Sequence, residues 1–200
     1  MSDEKAPTVQ LWGDPGFIGL MALAAAVASL WPILTGIVPP AAFPLVIGWM
    51  FVSSVALLVC GIICVRIGNC VVGAPCIVFG TIINMGTAFA FAIPLWGMAF
   101  KIPIDGTPIN GWVFLFIGFL SVAMGWPFGK VSWLMWAWMM DLALVFWIAG
   151  LGFLGMGPAW VVTGGWLLFV FDVVCLYIAF AGHINTSFGA PKLPLGKPLF

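Results

Sequence analysis

Charged residues are scarce in this sequence: Asp, Glu, Lys and Arg make up 6% of the 200 residues, whereas 64% are hydrophobic. A water-soluble domain carries about 25% charged residues, because its outer shell must face water. The composition therefore excludes a soluble globular protein and indicates a chain that faces the hydrocarbon of a bilayer. The formal net charge is +0, so nothing points to a nucleic-acid partner.

Histidine is also nearly absent, since His183 is the single one, and it falls at the end of the last hydrophobic run. No nucleophile–base pair and no phosphate-binding loop is present, so we expect neither an enzyme nor a bound cofactor. The cysteines have no His or carboxylate near them in sequence to complete a metal site, and we expect them to be small apolar packing residues. These are Cys60, Cys64, Cys70, Cys76 and Cys175.

Hydrophobic runs, in contrast, dominate the chain, and a run of about 20 apolar residues is long enough to cross a bilayer as a helix. The runs cover roughly 17–37, 42–65, 72–97, 111–126, 132–154 and 159–182, with Pro, Gly and charged residues between them. They predict an all-α integral membrane protein, a single domain over residues 1–200 built as a bundle of six transmembrane helices.

The basic residues predict how the bundle is oriented. With six spans, both termini and the second and fourth loops share one side, while the opposite side carries only Lys101. Because basic loops remain cytoplasmic, we expect both termini in the cytoplasm and the protein in the cytoplasmic membrane. The basic residues on the cytoplasmic side are Lys5, Arg66, Lys130, Lys192 and Lys197.

Two acidic residues lie deep in hydrophobic runs, Asp141 in the fifth and Asp172 in the sixth. A carboxylate at the bilayer centre costs about 2.5–3.5 kcal/mol on insertion scales, and no Lys or Arg occupies a span centre to pair with either. The two runs are consecutive, so we expect both carboxylates at similar depth. They are either proton-binding groups beside an aqueous path or protonated side chains that tie helices together.

The third and fifth runs contain further candidates. Thr81, Asn84 and Thr87 recur at a spacing of three in the third run, where they either line a path or form interhelical hydrogen bonds. Tryptophans deep in the fifth run are expected to fill interhelical or intersubunit space. They are Trp136, Trp138 and Trp147.

Short motifs along the chain resemble those of the acetate uptake transporters, the YaaH/SatP group. Residues 14–20 resemble the family's Asn-Pro-Ala-Pro-Leu-Gly-Leu, with Pro15, Gly19 and Leu20 identical and Asp14 in place of Asn. Gly68-Asn69 resembles the Gly-Asn at the entry to the third helix, and Phe79-Gly80 resembles its Tyr-Gly. The resemblance extends from about residue 13 to 196 and includes Gly165-Trp166, Tyr177, Ala179, Asn185, Phe188-Gly189, Leu193-Pro194 and Gly196.

The resemblance implies a homohexamer in which each subunit encloses its own path for acetate and related short carboxylic acids. In that family an apolar constriction closes the path, and its positions match Leu23, Phe79 and Leu142 here. Such a constriction resists hydrated ions, because removing their water is costly. Asp14 and Pro15 also suit the start of a helix, whose free amides could meet a carboxylate, although Asp14 itself would compete with it.

Helix geometry limits which candidates can share one path. Phe79 and Thr81 lie about 200° apart around an α-helix, so if Phe79 lines the path we expect Thr81 and Asn84 to face another helix. Asp141 lies about 100° from Leu142 and would only flank the constriction.

Three functions remain open at this point. The first is a channel or proton-coupled transporter for acetate and similar acids, the second a urea or amide channel, and the third a non-transporting scaffold subunit of a membrane complex. The deep carboxylates favour transport, because they cost insertion energy without improving packing.

Overall fold

The computed structural model describes residues 13–200, so Lys5 of the predicted basic set lies outside the described residues. These residues form helices and contain no β-strand. The helices long and apolar enough to cross a membrane number six and span Gly16–Leu34, Pro40–Arg66, Cys70–Ala99, Thr107–Lys130, Trp133–Met156 and Pro158–Phe188. The predicted all-α integral membrane bundle of six spanning helices is confirmed.

The third span is the one that departs from a continuous α-helix in its middle. Its halves α3 and α4 are joined by a π-helical segment at Phe79–Met85, a wider helix with hydrogen bonds between residues five apart. A second π-helical turn, Gly152–Met156, follows α6. The seven α-helices are α1 (Gly16–Leu34), α2 (Phe43–Arg66), α3 (Cys70–Val78), α4 (Gly86–Ala99), α5 (Thr107–Gly125), α6 (Trp133–Leu151) and α7 (Pro158–Phe188).

Two helices extend beyond the hydrophobic runs that predicted them. α5 begins at Thr107 rather than 111, because the Asp105 carboxylate accepts a hydrogen bond from the Thr107 amide and so supports the first turn. α7 continues to Phe188 rather than 182. Its last turns carry Asn185, which hydrogen-bonds the chain that follows. Polar contacts therefore extend both helices past the apolar stretch.

Consecutive spans pack side by side in one bundle, except that the third and fourth spans make little contact. α1 lies between α2 and α7, α6 lies between α5 and α7, and α2 also packs against both halves of the third span. Small residues allow the closest approaches. A Cβ atom on Gly61 of α2 would lie 2.9 Å from the carbonyl oxygen of Gly73 in α3, so the two backbones are nearly in contact.

The bundle has two ends, which we name by the chain segments found there. At the terminal face, Asp14 near the start of the described chain, Asn69 after α2 and Leu195 near the C-terminus lie together. At the opposite face lie the loops 35–39 and 100–106. Both described ends of the chain thus lie on one face, whose side of the membrane remains a prediction.

The C-terminal tail, residues 190–200, is bound across the terminal face. The Trp133 amide donates to the Lys197 carbonyl over 2.9 Å, and the Leu199 amide donates to the Gly129 carbonyl over 2.8 Å. The Ser132 hydroxyl, which caps α6, donates to the Leu195 carbonyl. The tail therefore holds the start of α6 at the terminal face.

Candidate substrate path

The central feature of the bundle is a small enclosed cavity of about 40 Å³, which we call the middle cavity. Leu23 of α1, Phe79 of the π-helical segment and Leu142 of α6 all line it, and each is 2% exposed. The structure thus brings the three predicted constriction residues together. A water molecule needs about 10–15 Å³ of such space, so the cavity has room for a few water-sized groups.

Polar side chains from the third span also reach the middle cavity. Asn84 and Thr87 line it together with Phe79. We expected that Asn84 would not line the path if Phe79 does. This expectation was wrong, because it assumed an α-helix. In the π-helical segment residues five apart share a face, which places Asn84 beneath Phe79.

Asn84 also forms the interhelical hydrogen bond that was the alternative to lining a path. Its amide nitrogen donates to the Ser53 hydroxyl over 2.9 Å, and that hydroxyl donates to the Met50 carbonyl over 2.9 Å. Thr81 does not line the cavity, since its hydroxyl donates to the Ile77 carbonyl over 2.7 Å. Asn84 therefore lines the cavity, whereas Thr81 is bonded to the backbone of its own helix.

Side chains of α2 and the proline of α3 account for the π-helical segment. Pro75 has no amide hydrogen and leaves one helical hydrogen bond unmade in α3. The Ser54 hydroxyl donates to the Gly80 carbonyl inside the segment, and a Cβ on Gly80 would lie 2.9 Å from the Ser54 carbonyl. Close contact with α2 thus satisfies backbone groups that an irregular helix leaves free.

A wide vestibule of about 410 Å³ lies between the middle cavity and the opposite face. It is bounded by α2, α4 and α5, and Thr87 and Phe114 line both this vestibule and the middle cavity. Asp105 lies at its mouth, where it accepts a 3.0 Å hydrogen bond from the Thr107 amide. The hydrogen bonds from Thr107 lower the pKa of Asp105, so this carboxylate is ionised at neutral pH.

A smaller vestibule of about 160 Å³, which we call the terminal vestibule, opens at the terminal face beside the predicted entry motif. Asp14 and Leu20 line it, and the Asp14 carboxylate accepts a 2.8 Å hydrogen bond from the Asn69 amide group. Asn69 also caps α3 through the Val72 amide. One contact thus joins the two motifs predicted at the entries of the first and third spans.

The first amide of α1, which the sequence suggested for a substrate carboxylate, is already bonded to Asp14. The Gly16 amide already donates to Asp14 over 2.8 Å, and the Pro15 carbonyl accepts from the Ile18 and Gly19 amides. Gly19 has a packing role, since a Cβ there would lie 3.2 Å from the Cys76 sulfur. Asp14 therefore occupies the position that an anion would need.

The two deep carboxylates are not brought together. Neither Asp141 nor Asp172 lines the middle cavity or a vestibule. Asp172 is 5% exposed and lies beside Trp31 of α1, and no hydrogen bond joins the two aspartates within residues 13–200. One oxygen of each carboxyl is buried without a partner there. Asp172 therefore contacts α1, and both carboxyl groups lie away from the three cavities.

Charge around the three cavities is sparse and of one sign. Among the described lining residues, Asp14 at one mouth and Asp105 at the other are the charged ones, and neither Lys, Arg nor His joins them. The lining of the middle cavity is apolar except for Asn84 and Thr87. A passing anion would therefore meet no cation along this route.

Sequence reasoning missed Phe114 and underrated Trp138. Phe114 of α5 separates the middle cavity from the wide vestibule and packs edge-on against Phe146, with ring centroids 5.3 Å apart. Trp138 was expected only to fill space, yet it lies one helical turn from Leu142. The available signal was this spacing of four residues, which places Trp138 on the same face of α6 as the predicted constriction.

The fold and its cavities define a six-helix membrane protein that encloses a chain of internal spaces within a single subunit. No family model and no curated protein matches the chain by sequence. Among solved structures it is similar to the structure of the bacterial acetate channel SatP, with a TM-score of 0.84 and 17% sequence identity, over 92% of this chain and 99% of that one. The resemblance to acetate uptake transporters is thus confirmed at the level of the fold.

Proposed function

We propose that this protein is a membrane channel or proton-coupled transporter for acetate and related short carboxylic acids. The observation that carries the proposal is the convergence of Leu23, Phe79 and Leu142 on one small cavity between two vestibules. The fold, shared with a structure described as an acetate channel, supports the same assignment. Since that structure is of a channel, transport rather than catalysis is the activity to test.

The size and lining of the middle cavity suit a short acid. Acetate pairs a methyl group with a carboxyl group, and the cavity offers an apolar ring beside the Asn84 and Thr87 side chains. The methyl end fits the apolar ring, while the polar end faces the amide and the hydroxyl. A hydrated inorganic ion would lose its water here without compensation.

The charges at the two mouths favour passage as the uncharged acid. Asp14 and Asp105 repel an anion, and no described cation lines the cavities to balance this repulsion. An acid that carries its own proton avoids this cost. We therefore place proton movement with the substrate, and assign Asp141 and Asp172 to helix contacts.

The assembly we propose is a homohexamer in the cytoplasmic membrane, with both termini in the cytoplasm. The path lies within one chain, so each subunit would conduct independently. Basic residues at the terminal face, including Arg66 and Lys130, support a cytoplasmic position for that face. Large apolar side chains such as Phe116 and Phe119 are exposed on the outside of the bundle, where lipid or a neighbouring subunit would cover them.

Uptake of labelled acetate into liposomes containing the purified protein tests the proposal. Undissociated acetic acid crosses lipid by itself, so the quantity of interest is the difference from protein-free liposomes, measured with and without a pH gradient. We expect protein-dependent entry that an inward proton gradient increases and that propionate competes for. The absence of both protein-dependent uptake and competition would contradict the proposal.

A urea or amide channel is the second candidate, and the uncharged polar pair Asn84 and Thr87 favours it. An amide needs no proton to become neutral, so its flux would not respond to a proton gradient. Urea and acetamide tested beside acetate separate the two functions. A protein that carries none of the three would be a scaffold subunit.

A further inference from the structure

The two vestibules differ in how close they lie to the middle cavity, as their lining residues show. The middle cavity and the wide vestibule share Thr87 and Phe114. The middle cavity and the terminal vestibule share no lining residue. On α6 the terminal vestibule is lined by Met135 and the middle cavity by Leu142, so the barrier lies between these two levels.

Trp138 is the large side chain at that level. It is 3% exposed, and its ring stacks on Phe171 of α7, with centroids 4.8 Å apart and planes 13° apart. Its other contacts are with Phe79, at 6.5 Å, and with the edge of Phe128, also at 6.5 Å. The indole therefore touches one constriction residue and fills the space next to it.

A single hydrogen bond holds the indole in place. Its Nε1–H donates to the Phe171 carbonyl over 3.2 Å. That carbonyl lies inside α7, where the amide four residues later also donates to it. The bond to Trp138 is therefore an additional one, and breaking it leaves the helix intact.

Two small side chains also lie near this level, beside the aromatic neighbours of Trp138. Cys76 of α3 is 4% exposed, Cys175 of α7 is 0% exposed, and the Cys175 sulfur donates to the Leu20 carbonyl at 3.4 Å. Neither thiol is large enough to close the gap if the indole moves. Empty space for a displaced ring exists on the terminal side, in the 160 Å³ vestibule.

We propose that the Trp138 ring closes the path between the middle cavity and the terminal vestibule. Its hydrogen bond to the Phe171 carbonyl holds the ring in the closed position. The inference rests on the proposed transport function and adds a specificity-determining residue to it. A substrate that passes must displace the indole, so the size of the opening depends on how far the ring swings. Short acids pass because a small displacement suffices.

The test uses two variants at Trp138 and a matched control on the same helix. Trp138→Phe keeps an aromatic ring but removes the N–H, whereas Trp138→Ala removes the ring. Trp136→Ala removes an equal volume from α6 at a residue that lines none of the three cavities. All are made with Cys70→Ser, because Cys70 is an exposed thiol, and all are checked for a single oligomeric species in detergent.

We expect Trp138→Ala to raise protein-dependent acetate uptake by at least about tenfold and to admit a bulkier acid such as benzoate. Trp138→Phe should raise acetate uptake by about fivefold, the effect of losing one hydrogen bond from the closed state. Trp136→Ala should match the parent. If Trp138→Ala does not fold, Trp138→Phe decides the matter.

A second readout does not depend on acetate. A small water-soluble thiol reagent should label Cys76 or Cys175 faster in the Trp138 variants than in the parent, because the barrier around them is open. Parent protein that carries acetate, together with folded Trp138 variants whose uptake and labelling equal the parent's, would overturn the inference. If the parent carries no acetate, the proposed function fails, and the labelling rate alone then decides whether Trp138 is the barrier.

Discussion

The two vestibules of this protein differ in volume and in how close they lie to the middle cavity. The wide one holds about 410 Å³ and shares the lining residues Thr87 and Phe114 with the middle cavity. The terminal one holds about 160 Å³ and is cut off by the layer that contains Trp138. The middle cavity therefore adjoins the wide vestibule and is separated from the terminal one by a layer of side chains.

The cause of the difference lies in helix packing. At the opposite face the wide vestibule separates α4 from α5. At the terminal face the tail and the cap of α6 hold the helix ends together through Ser132, Trp133 and Lys197. Helix ends that are tied together leave less space for solute than separated ones, so the vestibule at the terminal face is the smaller of the two.

The largest expected effect is at the apolar constriction formed by Leu23, Phe79 and Leu142. Leu142→Asp places a carboxylate in the apolar ring, which costs about 2.5–3.5 kcal/mol. Protein-dependent acetate uptake should fall by about a hundredfold, since about 1.4 kcal/mol corresponds to a factor of ten. Leu142→Met conserves the volume and should remain close to the parent. Unchanged uptake by well-folded Leu142→Asp would remove this residue from the constriction.

A smaller effect is expected on the open side of the ring. Asn84→Leu keeps a similar volume but removes the donor to Ser53 and the polar contact for a carboxyl group. We expect the free energy of unfolding to fall by about 1–3 kcal/mol and acetate uptake to fall severalfold, measured by thermal unfolding in detergent and by the liposome assay. Thr81→Val alters a neighbouring residue outside the cavity and should leave uptake unchanged. Equal uptake by the two variants would show that Asn84 serves packing alone.

Asp14→Asn tests the charge at the terminal mouth and restores the residue found in the family motif. Where acetate is fully ionised, at about pH 8, removal of the repulsive charge should raise uptake about threefold, and the gain should shrink as salt shortens the screening length to about 3 Å at 1 M. Near pH 5, where a large fraction of the acid is uncharged, the gain should be small. Asp105→Asn, at the other mouth, is the matched comparison. A gain that is independent of pH and salt would argue against an electrostatic origin.

The smallest expected effect is on the exchange of one amide hydrogen at the mouth of the wide vestibule. It follows from the lowered pKa of Asp105. A carboxyl group whose pKa is lower in the folded than in the unfolded state adds stability above its ordinary pKa of about 4 and loses this contribution as the pH falls through the folded value. Exchange of the Thr107 amide hydrogen should therefore be slower in the parent than in Asp105→Ala near pH 7. The difference should vanish once the pH is below the lowered pKa of Asp105, where the carboxyl is protonated. A difference that persists there would mean that the charge is not its source.

Much of the fold follows from local sequence. Apolar runs of about twenty residues leave the backbone no partner but its own helix in hydrocarbon, so six helices could be predicted from the hydrophobic pattern. The motif around Asp14 and Pro15 likewise predicted a helix start, and α1 begins at Gly16. Helix ends were less predictable where polar contacts, such as the Asn185 bonds to Leu193, extend a helix beyond its apolar run.

The candidate site could be predicted only in part. Leu23, Phe79 and Leu142 were placed by resemblance, and they do share one cavity. The exclusion of Asn84 was wrong, because it assumed an α-helix where the third span is π-helical, and the Ser54 contact to that segment comes from another helix. Asp141 and Asp172 were expected at similar depth, and depth alone does not specify which faces two helices turn toward each other; neither carboxyl lines one of the three cavities.

The sequence by itself determined that this chain is a membrane bundle, because hydrophobicity acts residue by residue and its sum over a span decides insertion. Only the tertiary structure decided which side chains meet inside the bundle. Helix rotation, the shift in register at Phe79–Met85 and the stacking of Trp138 on Phe171 each depend on contacts between segments far apart in the chain. Those contacts set the shape of the path, and with it which solutes can pass.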